Sequence, residues 1–273
     1  MKNRITVLIL FLSGILFSQT HRFIYELEMK TEYKVNKINM ALDIDKENVK
    51  FYDYDLIELD SVRIATNGEY MTDIESDQLL MRKLGTNKNL EFHELNFDYF
   101  VIESEDVMNW KIEKETKTIA DNLLQKATTT YGGRKWTAWF SKSIPFQEGP
   151  YKFRGLPGLI FELSDDKNDF IYKLVKSKEL PGTFNTSNYL ENHYGQKPLA
   201  VSRKQFHKIK LDYYENPTAM YSQMFKEGNL YIGGELVTTQ EQLDSKKKFI
   251  QNYLYKSYNP IEIDKAIPYK VNY

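Results

Sequence analysis

Residues 122 to 141 read NLLQKATTTYGGRKWTAWFS. Two runs rich in Thr, Tyr, Trp and Phe, Asn122–Tyr131 and Arg134–Ser141, are separated by Gly132-Gly133 alone. Aromatic and β-branched side chains fit a pleated, half-buried surface, and a Gly-Gly pair supplies the positive φ that a two-residue hairpin turn needs at both central positions. The stretch predicts an antiparallel hairpin. Strand-like runs at 97–104 and 107–115 extend it into a meander.

The same period appears at the beginning of the chain. Phe23, Tyr25, Leu27 and Met29 alternate with polar residues, as do Ile38, Met40, Leu42 and Ile44, which predicts strands with one buried face over 21–32 and 37–55. Further on, 159–163 and 170–175 are apolar runs around the charged cluster 164–169, read as a hairpin with a solvated turn. The acids of that cluster lack the spacing and the glycine of a helix-loop-helix calcium loop. Helical signals come late. Ser202 and Gln205 have capping-box spacing, Phe206, Ile209 and Tyr213 form a stripe, and Pro217 stops the run, so a helix is expected over 203–215. Thr238 and Glu241 repeat the spacing before Leu243, Ile250 and Leu254, with Asn259-Pro260 as the stop. Lys246, Lys247 and Lys248 fall on this second helix and read as a solvated face. A short helix over 77–84, ended by Gly85, is also expected. The predicted class is α+β, mostly antiparallel, with one large twisted or curved sheet and C-terminal helices packed on it. Residues 19–273 form a single β-rich domain in this reading.

The 273 residues carry 38 acids against 37 Lys and Arg, with 14% aromatic residues and no Cys. Near-neutrality gives no chain-wide attraction for nucleic acid, and none is expected as a partner. Without Cys there are no disulfides, no thiolate metal sites, no thiol nucleophile and no lipidated N-terminal cysteine. Lys2 and Arg4 followed by an apolar run from Ile5 to Phe17 read as a secretory signal peptide over 1–18, too short for the roughly 20 residues of a spanning helix. Its removal takes two cations and no acid, shifting the formal charge from −1 to −3. No transmembrane helix is expected after cleavage. The expected location is the periplasm or the outer-membrane surface.

Three of the 8 Pro, five of the 13 Gly and two of the 3 Trp fall between 132 and 158. That concentration calls for a rigid shape. In Leu156-Pro157-Gly158-Leu159, Pro presets the second position and Gly158 the third position of a type II turn leading into a strand. Gly155 is read as making room for a close backbone approach beneath a ring. Trp136 and Trp139, three apart on a strand, must face opposite ways.

The pieces Arg134-Lys135-Trp136-Thr137-Ala138-Trp139-Phe140, Ile144-Pro145, Gly149-Pro150-Tyr151-Lys152-Phe153 and Gly155-Leu156-Pro157-Gly158-Leu159-Ile160 stand in order. In them the chain resembles the GLPGLI family of exported proteins from Bacteroidetes. Looser similarity reaches Gln125-Lys126-Ala127 and Asn259-Pro260-Ile261-Glu262. The resemblance implies export to the envelope of a two-membrane bacterium and brings no catalytic residues with it.

The chemistry-bearing residues are sparse in pattern. His21, His93, His193 and His207 have no metal-ligand spacing, and neither G-x-S-x-G nor a phosphate-binding glycine loop occurs, so no metal and no cofactor are expected. The candidate binding surface is Trp136, Trp139, Tyr151, Phe153, Leu156 and Leu159, with Gly155, Pro157 and Gly158 as the structural turn. The leading expectation is a non-enzymatic envelope binding or accessory protein, carrying an apolar ligand or docking an outer-membrane protein. Two alternatives stay open: a hydrolase using paired carboxylates, and a small outer-membrane barrel closed by a strand through Ile267, Tyr269, Val271 and Tyr273.

Overall fold

The computed structural model describes residues 19–68, 74, 76–96, 98–228 and 230–270. The expected leader, 1–18, lies outside the described residues. In chain order the strands are β1 (Gln19–Lys30), β2 (Val35–Ile44) and β3 (Asn48–Asp53), then helix α1 (Leu56–Ala65). There follow β4 (Leu79–Lys83), β5 (Lys88–Leu95), β6 (Asp98–Glu105), β7 (Lys111–Ile119), β8 (Asn122–Tyr131) and β9 (Arg134–Ser141). After β10 (Leu159–Asp165), β11 (Phe170–Pro181) and β12 (Leu199–Ala200) come helices α2 (Arg203–Glu215), α3 (Ser222–Lys226) and α4 (Gln240–Ser257). A two-residue hairpin, β13 (Tyr231–Ile232) with β14 (Glu235–Leu236), lies between the last two helices.

Twelve strands share one sheet in the order β12-β6-β5-β4-β3-β2-β1-β11-β10-β9-β8-β7. The first strand is central: β1 pairs antiparallel with β2 on one side and with β11 on the other. One wing meanders outward from β2 to β6, and the other returns inward from β7 to β11. Among the described residues only the contact of β12 with β6 is parallel.

The connection between the wings dictates the shape. In a flat sheet β6 and β7 would stand ten strand spacings apart, roughly 48 Å at the usual separation. The link 106–110 spans at most roughly 20 Å, so the sheet has to curl until its wings approach. Asp106 in that link bridges them, accepting from Asn89 of β5 at 3.1 Å and from Tyr131 of β8 at 3.0 Å. Among the described residues no ladder joins β6 to β7, and the sheet stays open. The barrel reading is therefore corrected. Ile267 and Tyr269 follow a short 3-10 turn and belong to no strand, while Val271 and Tyr273 lie outside the described residues.

The inside of the curl holds the main core. Phe23, Tyr25 and Leu27 of β1, Met40 and Leu42 of β2, Trp136 and Phe140 of β9 and Tyr172 of β11 are buried there. The segment 142–158 fills the space between the wings. The Tyr25 hydroxyl donates to the Ile160 carbonyl at 2.6 Å, Arg82 of β4 donates to the Tyr151 carbonyl at 3.2 Å, and Trp110 donates to the Arg154 carbonyl at 2.8 Å. On the outer face of the first wing a second core joins Ala41, Tyr52, Leu79, Phe92 and Tyr99 to Leu56 of α1 and to Tyr189 and Leu190 of the 182–198 loop. Phe206 of α2 packs on Phe100 and Ile102 of β6.

The predicted hairpin stands as read. Gly132 and Gly133 have φ of +63° and +79°, and Tyr131 pairs with Arg134, the backbone of a type I′ turn. Both capping boxes form, the second one residue later than its predicted position, on Thr239 and Gln242. The short helix expected over 77–84 is instead strand β4, and α1 had no counterpart in the sequence reading. At β4 the alternation of Leu80 and Arg82 inward with Leu79 outward overrides a weak helical signal. The cluster 164–169 is less solvated than expected. Asp165 is fully buried and accepts from Arg134 at 2.8 Å and from the Phe170 amide at 2.9 Å.

Candidate polar cleft at the mouth of the curled sheet

Strand alternation puts Asn89, Glu91 and His93 of β5 on the inner face, with Leu90 and Phe92 opposite. Against Glu91 stands Lys152, a wholly buried ammonium from the filling segment. Its Nζ lies 2.9 Å from Glu91, 2.6 Å from Glu262 and 3.3 Å from Asp106. Three buried carboxylates around one cation would leave a large uncompensated charge. Two further cations balance it: Arg203 of α2 reaches Glu91 at 2.6 Å, and Lys265 pairs with Glu262. Glu91 also accepts from the Tyr151 hydroxyl at 3.1 Å.

Burial alone would push the Glu91 carboxyl up, but Lys152 and Arg203 outweigh it and hold Glu91 below the usual carboxylate range. For Asp106, burial is likewise outweighed by Lys152, with help from Ser104 and Tyr131. On Lys152 burial works to lower the value, and the three carboxylates override it, leaving the ammonium more firmly protonated than a free lysine. Burial, then the neighbouring Glu91, raises the Tyr151 phenol well above its ordinary value. Tyr151 has φ of +52°, a backbone region that L residues with large side chains seldom occupy. Deeper still, Arg82 pairs with Glu148, which Arg154 also contacts at 3.4 Å.

Glu91, His93 and Tyr151 form one wall of a cleft of about 240 Å³ at the mouth of the curl. Helix α2 supplies a second wall with Arg203, Phe206, His207 and Lys210, and the C-terminal stretch from Ser257 to Ile267 supplies the third. Arg134 ties that stretch down, donating to the Asn259 side chain at 2.6 Å and to the Pro260 and Ile261 carbonyls at 2.9 and 3.1 Å. At the opposite rim, Asp77 accepts from His93 Nδ1 at 2.7 Å and from Lys210 at 3.2 Å. Among the described residues no group of three or more His, Cys, Asp or Glu side chains is placed to hold a metal ion.

Of the six side chains singled out in the sequence, only Tyr151 borders this cleft. Trp136 and Phe153 pack with ring centres 4.5 Å apart and planes tilted by 55° inside the core, and Leu156 and Leu159 are buried with them. Trp139 lies on the outer face of β9, half-buried, beneath the Lys117 ammonium at 4.3 Å. The proposed turn differs in type. The Gly158 amide donates to the Leu156 carbonyl at 2.8 Å across Pro157, and the Leu159 amide goes to Ile144 at 3.0 Å. The result is a γ-turn, not a type II turn. Gly158 nonetheless must be glycine: with φ of +153°, a Cβ would sit 2.0 Å from the Ser141 carbonyl oxygen. Gly155 has φ of +93° and open space where a Cβ would be, so its role is conformation and not close approach.

A sequence profile for a family described as a protein of unknown function, Porph_ging, matches residues 131–162. That is the segment carrying the family resemblance. No curated protein matches the chain. Among solved structures, two crystal forms of one protein, "Structure of PNGF-II in C2 space group" and "Structure of PNGF-II in P21 space group", are similar at 14% identity and a TM-score of 0.50. Each alignment covers 70% of this chain and 32% or 33% of the other. The chain thus spans about a third of the length of the protein it resembles in fold.

Proposed function

We propose that this chain is an exported, non-enzymatic binding module of the cell envelope, akin to the GLPGLI proteins, and that it receives its ligand in the polar cleft. The observation that carries the reading is the state of the cleft's acids. Glu91 is engaged at once by Lys152, Arg203 and Tyr151 and held ionised, while Glu262 is shared between Lys152 and Lys265. A glycosidase-type hydrolase needs one carboxyl group kept protonated near neutral pH beside an ionised partner, and a carboxylate tied to two cations is poorly suited to give a proton. The same groups disfavour an apolar cargo, which would leave them desolvated without new partners. A fold that aligns with about a third of a longer chain is consistent with a module. The leader-like residues 1–18 and the family resemblance support export.

Native mass spectrometry on protein isolated from its own envelope, with in-cell crosslinking beside it, tests this. A small polar molecule retained in stoichiometric amount, and lost in Arg203→Ala, is the expected result. Substrate turnover by the purified protein would overturn the reading. A retained lipid displaced by no cleft variant would do so as well. Specific crosslinking to an outer-membrane protein with the cleft empty would assign the accessory role instead.

A further inference from the structure

We propose that the cleft takes a small uncharged molecule that donates a hydroxyl or amide hydrogen to Nε2 of His93; the assignment deepens the binding reading above and rests on it. The His93 side chain is only 8% exposed, stacked on Phe206 with ring centres 4.7 Å apart. Its Nδ1 faces Asp77, 2.7 Å away. A carboxylate only accepts hydrogen bonds, so in the neutral tautomer Nδ1 carries the hydrogen and Nε2 presents a lone pair. That atom is buried and has no hydrogen-bond partner among the described residues. A buried acceptor without a donor is unfavourable, and His93 lines a cavity of about 240 Å³, well beyond the ~10–15 Å³ that one water needs.

The charges around the cleft decide the ligand's class. Its acids and cations are mutually matched: Asp77 with Lys210 at 3.2 Å, Glu91 with Arg203 at 2.6 Å, and Glu262 with Lys265. No net field is left to draw in an anion or a cation, and a charged ligand would have to displace one of these pairs. Phe170 and Phe206 add apolar wall, against which the carbon framework of a neutral polar molecule can rest. The unmet need is one donor, pointed at one nitrogen.

The test is a titration of the mature protein, residues 19–273, followed by the imidazole nitrogen resonances in NMR. The neutral probes are myo-inositol, which offers hydroxyls, and N-acetylalaninamide, which offers amide hydrogens; inorganic phosphate and acetate are the charged probes. One neutral probe should move the His93 Nε2 resonance, and which one moves it separates hydroxyl from amide donors. Its affinity should change less than about twofold between about 20 and about 500 mM salt, because no exposed charge pair is formed. His93→Gln, which keeps an acceptor, should retain binding within a few-fold. His93→Phe, which removes it, should lose at least about tenfold while its melting temperature stays within a few degrees of the parent. Tighter binding of phosphate or acetate, weakening with salt, would overturn the ligand class and leave the binding reading standing. No perturbation of any cleft resonance by any probe, with nothing retained on envelope-isolated protein, would overturn both.

Discussion

Single residues carry opposite kinds of constraint in this chain. At Gly158 the constraint is steric, because a side chain would meet the Ser141 carbonyl at 2.0 Å on a backbone at positive φ. Gly158→Val should therefore destabilise the fold by about 3 kcal/mol or more, whereas Gly155→Ala, strained in φ but free of contact, should cost about 1 kcal/mol. Equal melting temperatures for the two variants would remove the close approach from the account. At Lys152 the constraint is electrostatic. Lys152→Met leaves Glu91, Asp106 and Glu262 buried with less compensation, and should cost about 3–5 kcal/mol in urea denaturation at neutral pH. The sign of the pH dependence follows from the shifts. Glu91 and Asp106 have folded values depressed largely by Lys152, so the stability they add is present above the ordinary carboxylate value of about 4 and is lost as pH falls below it. The penalty of Lys152→Met should accordingly shrink between pH 7 and pH 3. Lys152 itself, raised in the fold, adds no change until pH climbs past the ordinary lysine value near 10. A penalty constant with pH would mean that the cluster acts by packing alone.

At the scale of elements, local signals are legible in the sequence and non-local ones are not. The Gly132-Gly133 hairpin, the β9 boundaries and helix α2 are settled by turn and cap chemistry within a few residues of chain, and those are visible in sequence. Strand β4 is masked in the sequence because its five residues hold only two inward–outward repeats, too few to separate period two from a helical stripe. The site was hidden for a related reason. Asn89, Glu91 and His93 alternate with Leu90 and Phe92, a pattern that ordinarily means a solvated polar face, and here the polar face points inward because another segment fills the curl. A signal was present in Tyr151-Lys152-Phe153, where a lone lysine sits between two aromatic residues, but its partners lie 61, 46 and 110 positions away in chain. Distant elements are joined where Arg134 of β9 holds Asp165 and the stretch after α4. Arg134→Lys, losing the planar fork, should cost about 2–4 kcal/mol. Hydrogen exchange should rise first over residues 259–265, which form the third wall of the cleft. Uniform loss of protection across the sheet would show that Arg134 acts on global stability and not on that wall.

For the whole molecule, curling without closure leaves a problem that a barrel does not have. Two sheet edges remain, and they are unlike. One is β12, two residues long; the other is β7, nine residues reading KIEKETKTI and exposed along most of its length. An exposed edge of that length is a template for pairing with a second chain. Its charges answer that threat: Lys and Glu alternate along β7, Lys117 is held by Glu162 and lies over Trp139, and the neighbouring Lys126 binds Glu115 at 2.8 Å. Trp139 thus has a present role on the outer face, where the Lys117 stem and ammonium cover it. If this is how the edge is kept single, Lys114→Ile with Thr116→Ile should change stability by no more than about 0.5 kcal/mol, since both side chains are exposed. The same pair should make the sedimentation coefficient rise with concentration where the parent's does not. Identical sedimentation of the two proteins would mean that the register irregularity between Ile112 and Thr116, by twisting the edge away from a straight ladder, protects it without help from charge.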